Sequence, residues 1–315
     1  MEADFPIILQ TSHAVSHIEN DLYLPGNLLF ADGGALKTSL YGETWTVAGF
    51  FAHDGYVEGV WQAARFSWIT GFIQLSASKV LVVDKWNHCL RVVNRITNST
   101  SNFAGGCPSS GYIDGCSALF SFPVSVIHNQ KNSGQFLVTD SANFAVRTLN
   151  VTTAEVGTLF THNPHMYAGI CQDSTTGNIF LTTFDGLAKY DYKTTKVTTI
   201  LSSAETTIMN GLRLSNPGEL LFVCNESLLI ADTDNERLFA INLYNRIFME
   251  ITANCESSAD EIGFADSLTY PSALAMFGDT VLVGDHHYIK KSQYVKGQLL
   301  LCSSHYQFSS QQLSI

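Results

Sequence analysis

The sequence has few charged residues, no basic block and no long apolar run. Only 14% of its 315 residues are charged, and 28 acidic against 17 basic residues give a net charge of −11 at pH 7. This balance argues against nucleic acid as a partner. No stretch approaches the roughly 18 consecutive apolar residues of a membrane-spanning helix. A 45% apolar composition excludes a disordered chain and predicts a large packed core.

Several signatures of enzymes and metal sites are also missing. The seven cysteines form no C-x-x-C pair, so a structural zinc site is not expected. There is no G-x-S-x-G nucleophile elbow, no P-loop and no G-x-G-x-x-G after a predicted strand. These absences remove the common hydrolase and nucleotide-binding classes.

The N-terminal residues lack a cationic segment followed by an apolar run, so they do not form a signal peptide as they stand. A processed ectodomain has this appearance. Three N-x-[ST] glycosylation sequons begin at Asn98, Asn150 and Asn225. We therefore expect a secreted or cell-surface glycoprotein, with any membrane tether outside these residues. A cytosolic protein with ordinary buried thiols is the alternative.

An apolar run that ends in aspartate recurs along the chain. The runs are rich in Val, Ile, Phe and Thr, which favour strands. Successive aspartates are 52, 56, 45, 47 and 53 residues apart, a period typical of propeller blades. The six are Asp32, Asp84, Asp140, Asp185, Asp232 and Asp285.

Two further motifs recur with the strands. The first is D-x-x-N followed by a basic residue, at Asp84–Arg91, Asp140–Arg147 and Asp232–Arg237. Asp and Asn close tight turns because their side chains bond nearby backbone N–H groups and tolerate left-handed dihedrals. The second is G-[YF]-x-[DE]-[GS], at Gly55–Gly59 and Gly111–Gly115 and, with Ser, at Gly263–Ser267.

Together these motifs resemble the NHL repeat, with Ala48-Gly49, Ala104-Gly105 and Asn87-His88 in register. The resemblance implies an all-β fold: a single domain over residues 1–315, built as a six-bladed β-propeller with four-stranded antiparallel blades, A innermost to D outermost. The segment Phe5–Leu9 is left over and is expected to pair with the last blade and close the ring. The blades are predicted at about 18–50, 69–106, 122–160, 166–203, 211–254 and 271–305.

This topology assigns the loops to two faces. The B–C turns and D–A connections share one face, called here the B–C face, and the A–B and C–D turns share the other, the C–D face. All three sequons are predicted on the C–D face, whereas the long connections 50–68, 107–121 and 254–270 are predicted on the B–C face. Long loops on a rigid scaffold commonly bind ligands. The candidate binding residues are Tyr56, Glu58, Trp61, Trp86, His88, Tyr112, Asp114, Phe264, Asp266, His286 and His287.

The cysteines can be placed by register. If the second C–D hairpin is centred on Asn98, Cys89 and Cys107 lie opposite each other, at a separation that suits a disulfide. Cys107–Cys116 is the rival pair. Cys171 and Cys224 are expected as buried free thiols, and a Cys255–Cys302 bridge stays open.

The favoured function is a non-enzymatic module that binds an extracellular protein or peptide on the B–C face, without a cofactor. A purely structural adhesion scaffold is not separated from it by sequence. The alternative is a metal-dependent enzyme, because NHL-like peptidyl-hydroxyglycine lyases use zinc and calcium and lactonase-type propellers use calcium in the channel. Its candidate ligands would be His88, His162, His165, His286, His287, Asp84, Asp140, Asp232 and Asp285.

Overall fold

The computed structural model describes residues 9–40, 42–50, 54–162, 166–184, 186–202, 213–224, 227–244, 247–251, 268–278 and 280–291. These residues form short strands and four single-turn 3-10 helices, at Trp61–Ala63, Lys85–Asn87, Ser141–Asn143 and Thr233–Asn235. The strands are β1 (Leu9–Gln10), β2 (Val15–Asn20), β3 (Leu28–Asp32), β4 (Ala35–Leu40), β5 (Glu43–Gly49), β6 (Gly59–Val60), β7 (Ile69–Ser76), β8 (Lys79–Asp84), β9 (Cys89–Asn94), β10 (Ser99–Ala104), β11 (Pro123–His128), β12 (Gln135–Asp140), β13 (Ala145–Asn150), β14 (Val156–Thr161), β15 (Tyr167–Gln172), β16 (Ile179–Thr183), β17 (Gly186–Asp191), β18 (Lys196–Leu201), β19 (Leu220–Cys224), β20 (Ser227–Asp232), β21 (Arg237–Asn242), β22 (Ile247–Ile251), β23 (Pro271–Phe277), β24 (Thr280–Asp285) and β25 (Tyr288–Lys291).

The strands make six antiparallel sheets, and the fold is a six-bladed β-propeller, as the repeat predicted. Blades 1 to 5 are β2–β5, β7–β10, β11–β14, β15–β18 and β19–β22, each a meander in sequence order. In blade 6 the order is β23, β24, β25 and then β1, so an N-terminal strand supplies the outer position. Leu9 pairs with Ile289, which closes the ring as expected. Residues 5–8 and the fourth strand predicted near residue 305 lie outside the described residues.

Apolar side chains fill the space between neighbouring blades. On β8, Leu81 and Val83 pack toward blade 3, where they join Phe136. Val80 and Val82 on the same strand pack toward blade 1. Because alternate residues point to opposite sides of a sheet, a blade buried on both sides needs a continuous apolar run rather than an alternating one. Six such clusters of described residues occur, one at each blade interface.

The repeated aspartates are fully buried at the ends of the second strands. The Asp84 carboxylate accepts hydrogen bonds from Ser67 N (2.7 Å), Asn87 Nδ2 (2.8 Å) and Arg91 Nη1 (3.1 Å). The aspartates of blades 1, 3, 5 and 6 also bond a backbone N–H of the connection entering their own blade and pair with a basic residue of the third strand. Each carboxylate therefore ties the incoming connection to strands B and C. Asp185 lies outside the described residues.

Two details of the predicted turn chemistry are different. Asp84 does not bond a backbone N–H group of its own turn. The backbone N–H group that donates to its carboxylate belongs to Ser67, 17 residues earlier, in the connection that enters the blade. The left-handed residue is the one after the asparagine, with φ of 56° at His88 and 51° at Phe144. The aspartates thus anchor a long-range contact, and the residue after Asn makes the sharp turn.

The G-[YF]-x-[DE]-G loop is clamped by the same arginine. Arg91 Nη2 donates to Val57 O at 2.7 Å, and its guanidinium lies between the rings of Tyr56 (4.9 Å) and Phe66 (4.5 Å). Blade 3 repeats the arrangement around Arg147. Carboxylate, carbonyl and aromatic partners hold the terminal guanidinium nitrogens of each arginine, whereas Nε of Arg91 and of Arg147 is buried without a hydrogen-bond partner among the described residues. The motif tyrosines therefore serve the fold.

Replacing Arg91 with methionine should lower the free energy of unfolding by about 3–5 kcal/mol, because Asp84 is then a buried charge without its partner. Urea denaturation followed by tryptophan fluorescence measures this change. Arg91→Met with Asp84→Asn should recover part of the loss, and Lys196→Met, at an exposed site on β18, is the control. A loss for Arg91→Met no larger than for the control would contradict the role of the pair.

Candidate ligand-binding site

A cavity of about 160 Å³ lies in the central channel, at the end where the innermost strands begin. Each blade contributes small or hydroxyl-bearing side chains to it, among them Ser16, Thr70, Ser125, Gly169, Gly218 and Ser272. The inner strands approach each other so closely that a Cβ on Gly218 would lie 2.6 Å from Ser272 O. The convergence of six strands therefore selects small residues here and leaves a cavity that small and hydroxyl-bearing residues line.

A largely buried ion pair crosses the channel at this cavity, and its carboxylate belongs to the lining. His17 on β2 bonds Glu219, which precedes β19, although the two residues belong to blades 1 and 5. The other Glu219 oxygen accepts from Leu274 N at 2.8 Å, on the intervening blade 6. Burial alone would lower the pKa of His17, but the Glu219 and Glu19 carboxylates raise it to about 10. The pair links three blades through one carboxylate.

Lys85 is the cation that lines the cavity. It directly follows Asp84 in the B–C turn of blade 2, and its half-buried side chain extends along the channel wall. Burial lowers the pKa of its ammonium group. Among the described residues, no carboxylate lies within 4 Å of Lys85 Nζ, whereas Glu219, the one carboxylate of the lining, is occupied by His17.

Exposed apolar side chains lie on the B–C face, at the same end of the channel as the cavity, and one of them, Tyr270, is part of the cavity lining. Trp86 is 55% exposed and meets Phe122 edge-on, with ring centroids 4.9 Å apart. Phe184 and Met166 of blade 4 are 71% and 48% exposed, and Tyr270 before blade 6 is 38% exposed. We call Trp86, Met166, Phe184 and Tyr270 the rim. Exposed aromatic and sulfur-containing side chains near a cavity can hold a ligand by apolar contact.

Three of the predicted histidines lie on this same face, in the B–C turns of blades 2 and 6. His88 Nδ1 accepts a hydrogen bond from Phe122 N at 3.1 Å. Burial lowers the pKa of His88, with Asp140 opposing, so the neutral ring suits this accepting role. His286 is exposed and packs edge-on to His287, with centroids 3.9 Å apart. His88 thus supports the loop, whereas His286 is available at the surface.

The predicted residues of the two G-Y-x-[DE]-G loops make internal contacts at the outer edges of their blades. Tyr56 donates to Glu58 at 2.9 Å, and the same carboxylate accepts from Asn102 N. Asp114 pairs with Arg147 at 2.5 Å, and the Tyr112 ring lies 4.9 Å from that guanidinium. These four side chains fix the loops, and none of them lines the cavity. Phe264 and Asp266 lie outside the described residues.

Trp61 does not lie on the face expected for it. Its connection runs down the outer edge of blade 2, where Val60 pairs with Ser99. Trp61 N donates to Asn98 O at 3.0 Å, so the indole lies at the C–D end of the blade. The connection folds back on itself as a hairpin, in which Val57 pairs with Arg65, and then returns to the B–C face. The sequence-based prediction assumed that the whole connection stays on the B–C face. The bridge from Gly115 to Val156 shows that the next connection takes the same route.

Two of the three sequons fall in C–D turns of the described chain. Asn150 ends β13 and accepts from the N–H groups of Thr152 and Thr153, at 2.9 and 3.0 Å. With its amide oriented to satisfy both neighbours, Asn98 accepts from Trp61 Nε1 at 2.8 Å. Asn225 lies outside the described residues. Glycosylation at the three sites stays a prediction.

The Cys89–Cys107 disulfide is present, with a Cα–Cα distance of 5.4 Å. The predicted pairing of strand residues was not correct in detail. Ala104 pairs with Leu90, and Cys107 lies three residues beyond the end of β10 rather than opposite Cys89 in the sheet. Cys116 is an exposed free thiol, so the rival pair is wrong. Cys171 is free and half-buried, and burial raises the pKa of its thiol. Cys255 and Cys302 lie outside the described residues, and so does the side chain of Cys224.

Sequence reasoning missed the residues that line the cavity. Lys85 occupies a variable position of the D-x-x-N turn, next to an aspartate that the repeat identifies, so its location could have been inferred. His17 and Glu219 are 202 residues apart and carry no shared motif. Within the described residues no group of three His, Cys, Asp or Glu side chains could hold a metal ion, and no helix could cross a bilayer. His165 is among the residues not described.

Comparison with known proteins shows the fold and no family. No protein-family model and no curated protein matches the chain. A structure of a nidogen/laminin complex is 14% identical over 82% of this chain and 85% of that one, with a TM-score of 0.57. An auxiliary nutrient binding protein from Bacteroides thetaiotaomicron is 12% identical over 91% and 70%, with a TM-score of 0.65. A streptogramin B lyase is 9% identical over 93% and 95%, with a TM-score of 0.55. The chain is therefore similar to propellers of varied function.

The disulfide should stabilise the protein by roughly 3 kcal/mol, since it closes a loop with a sequence separation of 18 residues. The measurement is the free energy of unfolding of Cys89→Ala/Cys107→Ala against wild type, with Cys116→Ala as the free-cysteine control. The double variant should unfold at lower denaturant, whereas the control should match wild type. Equal stability of all three proteins would contradict this contribution.

Stability should fall as the pH rises from about 6.5 toward 10, through loss of the His17 proton. The folded pKa of about 10 lies above the ordinary 6.5, so the stabilisation is complete below pH 6.5 and is lost as His17 deprotonates. The slope can reach about 1.4 kcal/mol per pH unit. His17→Gln should flatten the profile, whereas His128→Gln, at an exposed site, should retain it. A profile unchanged by His17→Gln would refute the assignment.

Proposed function

We propose that this protein is an extracellular, NHL-type β-propeller that binds a protein or peptide ligand on the B–C face, over the mouth of the central channel, without covalent chemistry. One observation carries the proposal: the rim residues Trp86, Met166, Phe184 and Tyr270 are exposed on the B–C face, at the end of the channel that contains the cavity. Aromatic side chains beside a pocket are typical centres of protein–protein interfaces. The clamps described above hold the backbone of this face in place, which reduces the entropy lost on binding.

A disulfide bond and the positions of the glycosylation sequons support an extracellular location. The Cys89–Cys107 disulfide is of the kind that persists in oxidising compartments. The sequons at Asn98 and Asn150 occupy C–D turns, away from the rim. Glycans there would leave the B–C face accessible. The NHL assignment is supported by the D-x-x-N turns and the arginine clamps, which give its sequence pattern a structural purpose.

The propellers of similar shape include one in a nidogen/laminin complex and one described as an auxiliary nutrient binding protein. A binding role is thus compatible with the architecture. The metal-dependent alternative retains only the likeness to the streptogramin B lyase in fold. The described residues contain no set of three clustered metal-ligating side chains.

The rim can be tested by capture from an extracellular fraction on immobilised protein, with the recovered partner then titrated against variants. Trp86→Ala and Phe184→Ala should each weaken binding about tenfold or more, as removal of a hot-spot aromatic does. Trp45→Ala is the matched control, because Trp45 is 59% exposed on the outer strand β5.

The control variant should bind as wild type does. If Trp45→Ala weakens binding as much as Trp86→Ala, the effect is not specific to the rim. If neither Trp86→Ala nor Phe184→Ala changes the affinity, the ligand does not bind at the channel mouth and the proposal is wrong.

A further inference from the structure

The cavity at the channel mouth contains a lysine that makes no ion pair with any described residue. Lys85 and Glu219 are the lysine and carboxylate of the lining, and the Glu219 oxygens are used by His17 and by Leu274 N. In the described part of the chain no carboxylate lies within 4 Å of Lys85 Nζ. The excess of acidic residues in the whole chain makes an unpaired lysine at this position more notable. The local charge of the cavity is therefore positive although the protein is acidic.

A second group in the cavity lacks a partner. The Thr70 hydroxyl is buried and has no hydrogen-bond partner among the described residues. The hydroxyls of Ser16, Thr233 and Ser272, in contrast, donate to backbone carbonyls. Buried polar groups are normally satisfied, so an unsatisfied one indicates a missing partner. The Lys85 ammonium group can only donate a hydrogen bond, and the Thr70 hydroxyl can donate or accept one, so an acceptor in the cavity is a partner that both groups can bond.

The cavity sets the size of that acceptor. Its volume of about 160 Å³ is well below the roughly 300–1,000 Å³ of sites for drug-sized ligands. It suits one charged group on a short aliphatic stem. A carboxylate fits these features, because its two oxygens can accept from an ammonium and from a hydroxyl at the same time.

We propose that the channel mouth is a carboxylate-binding site, with Lys85 as the counter-ion and the Thr70 hydroxyl as a second donor. The occupant is either a small organic acid or a carboxylate carried by a polypeptide. The site does not depend on the protein-binding proposal, because a free acid needs only the cavity, whereas a protein ligand needs the rim.

The test is calorimetric titration of the full chain with propionate at constant ionic strength, with uncharged propionamide as the matched probe. Wild type should bind propionate saturably and should not bind propionamide. Lys85→Met keeps the stem and removes the charge, so it should bind at least tenfold more weakly; Lys79→Met, at an exposed lysine of the same blade, should bind as wild type does. Thr70→Val should show an intermediate loss.

A spectroscopic readout separates direct contact from a change in folding. Reductive 13C-methylation of lysines gives each ammonium its own NMR signal, and propionate should raise the pKa of Lys85 because it supplies the missing negative charge. The signals of the exposed lysines should not move. Binding that persists in Lys85→Met, or no saturable binding by wild type, would overturn the proposal.

Two peptides of one sequence, ending in a free carboxylate or in an amide, distinguish the sources. Tighter, Lys85-dependent binding of the free carboxylate than of propionate would indicate a polypeptide ligand. Equal affinities would indicate a free acid. A wild type that binds propionate but captures no protein partner would overturn only the proposed function, whereas capture of a protein without propionate binding would overturn only the carboxylate site.

Discussion

The ring depends on a buried charge cluster repeated from blade to blade. An aspartate without solvent contact is costly unless several donors surround it. Asp84 has a backbone N–H, an amide and a guanidinium, and the last of these also bonds the carbonyls of the incoming loop. One side chain thus joins strand B, strand C and the connection from the preceding blade. Apolar packing holds the sheets side by side, and this cluster fixes the path by which the chain enters each one.

This division explains why the most recognisable residues are not the ones that meet a ligand. The Asp, Asn, Arg and Tyr positions of the repeat are committed to the clamps. The positions between them are unconstrained by that role, and in blade 2 they hold Lys85 in the channel and Trp86 on the surface. A turn with a fixed backbone and variable side chains provides a site that can differ between proteins of the same architecture. In blade 6 the corresponding position after the aspartate holds His286, whose ring lies 6.5 Å from that of the cavity residue Tyr270.

The sequence predicted the parts of the structure that are local or periodic. The fold followed from a fifty-residue period of strand-forming runs. The disulfide was predicted correctly although the predicted strand register was not, because the side chains of Cys89 and Cys107 still reach each other from their actual positions. The position of Trp61 was wrong because a hairpin within the connection brings it back along the outer edge, and nothing in a linear pattern encodes that reversal. The His17–Glu219 contact is set by ring closure, so it becomes visible only when blades 5, 6 and 1 are assembled.

The last sheet is completed by β1, which pairs Leu9 with Ile289. During synthesis on the ribosome, Leu9 emerges long before its partner exists. Five blades can form in order as the chain grows, but the first interface stays open to solvent until the sixth has been made, with Val15 and Phe30 on one side awaiting Ala273 and Leu282 on the other. The interface between blades 1 and 6 is therefore the last to form. A truncated chain exposes two apolar surfaces at once, and chaperones and proteases bind such surfaces.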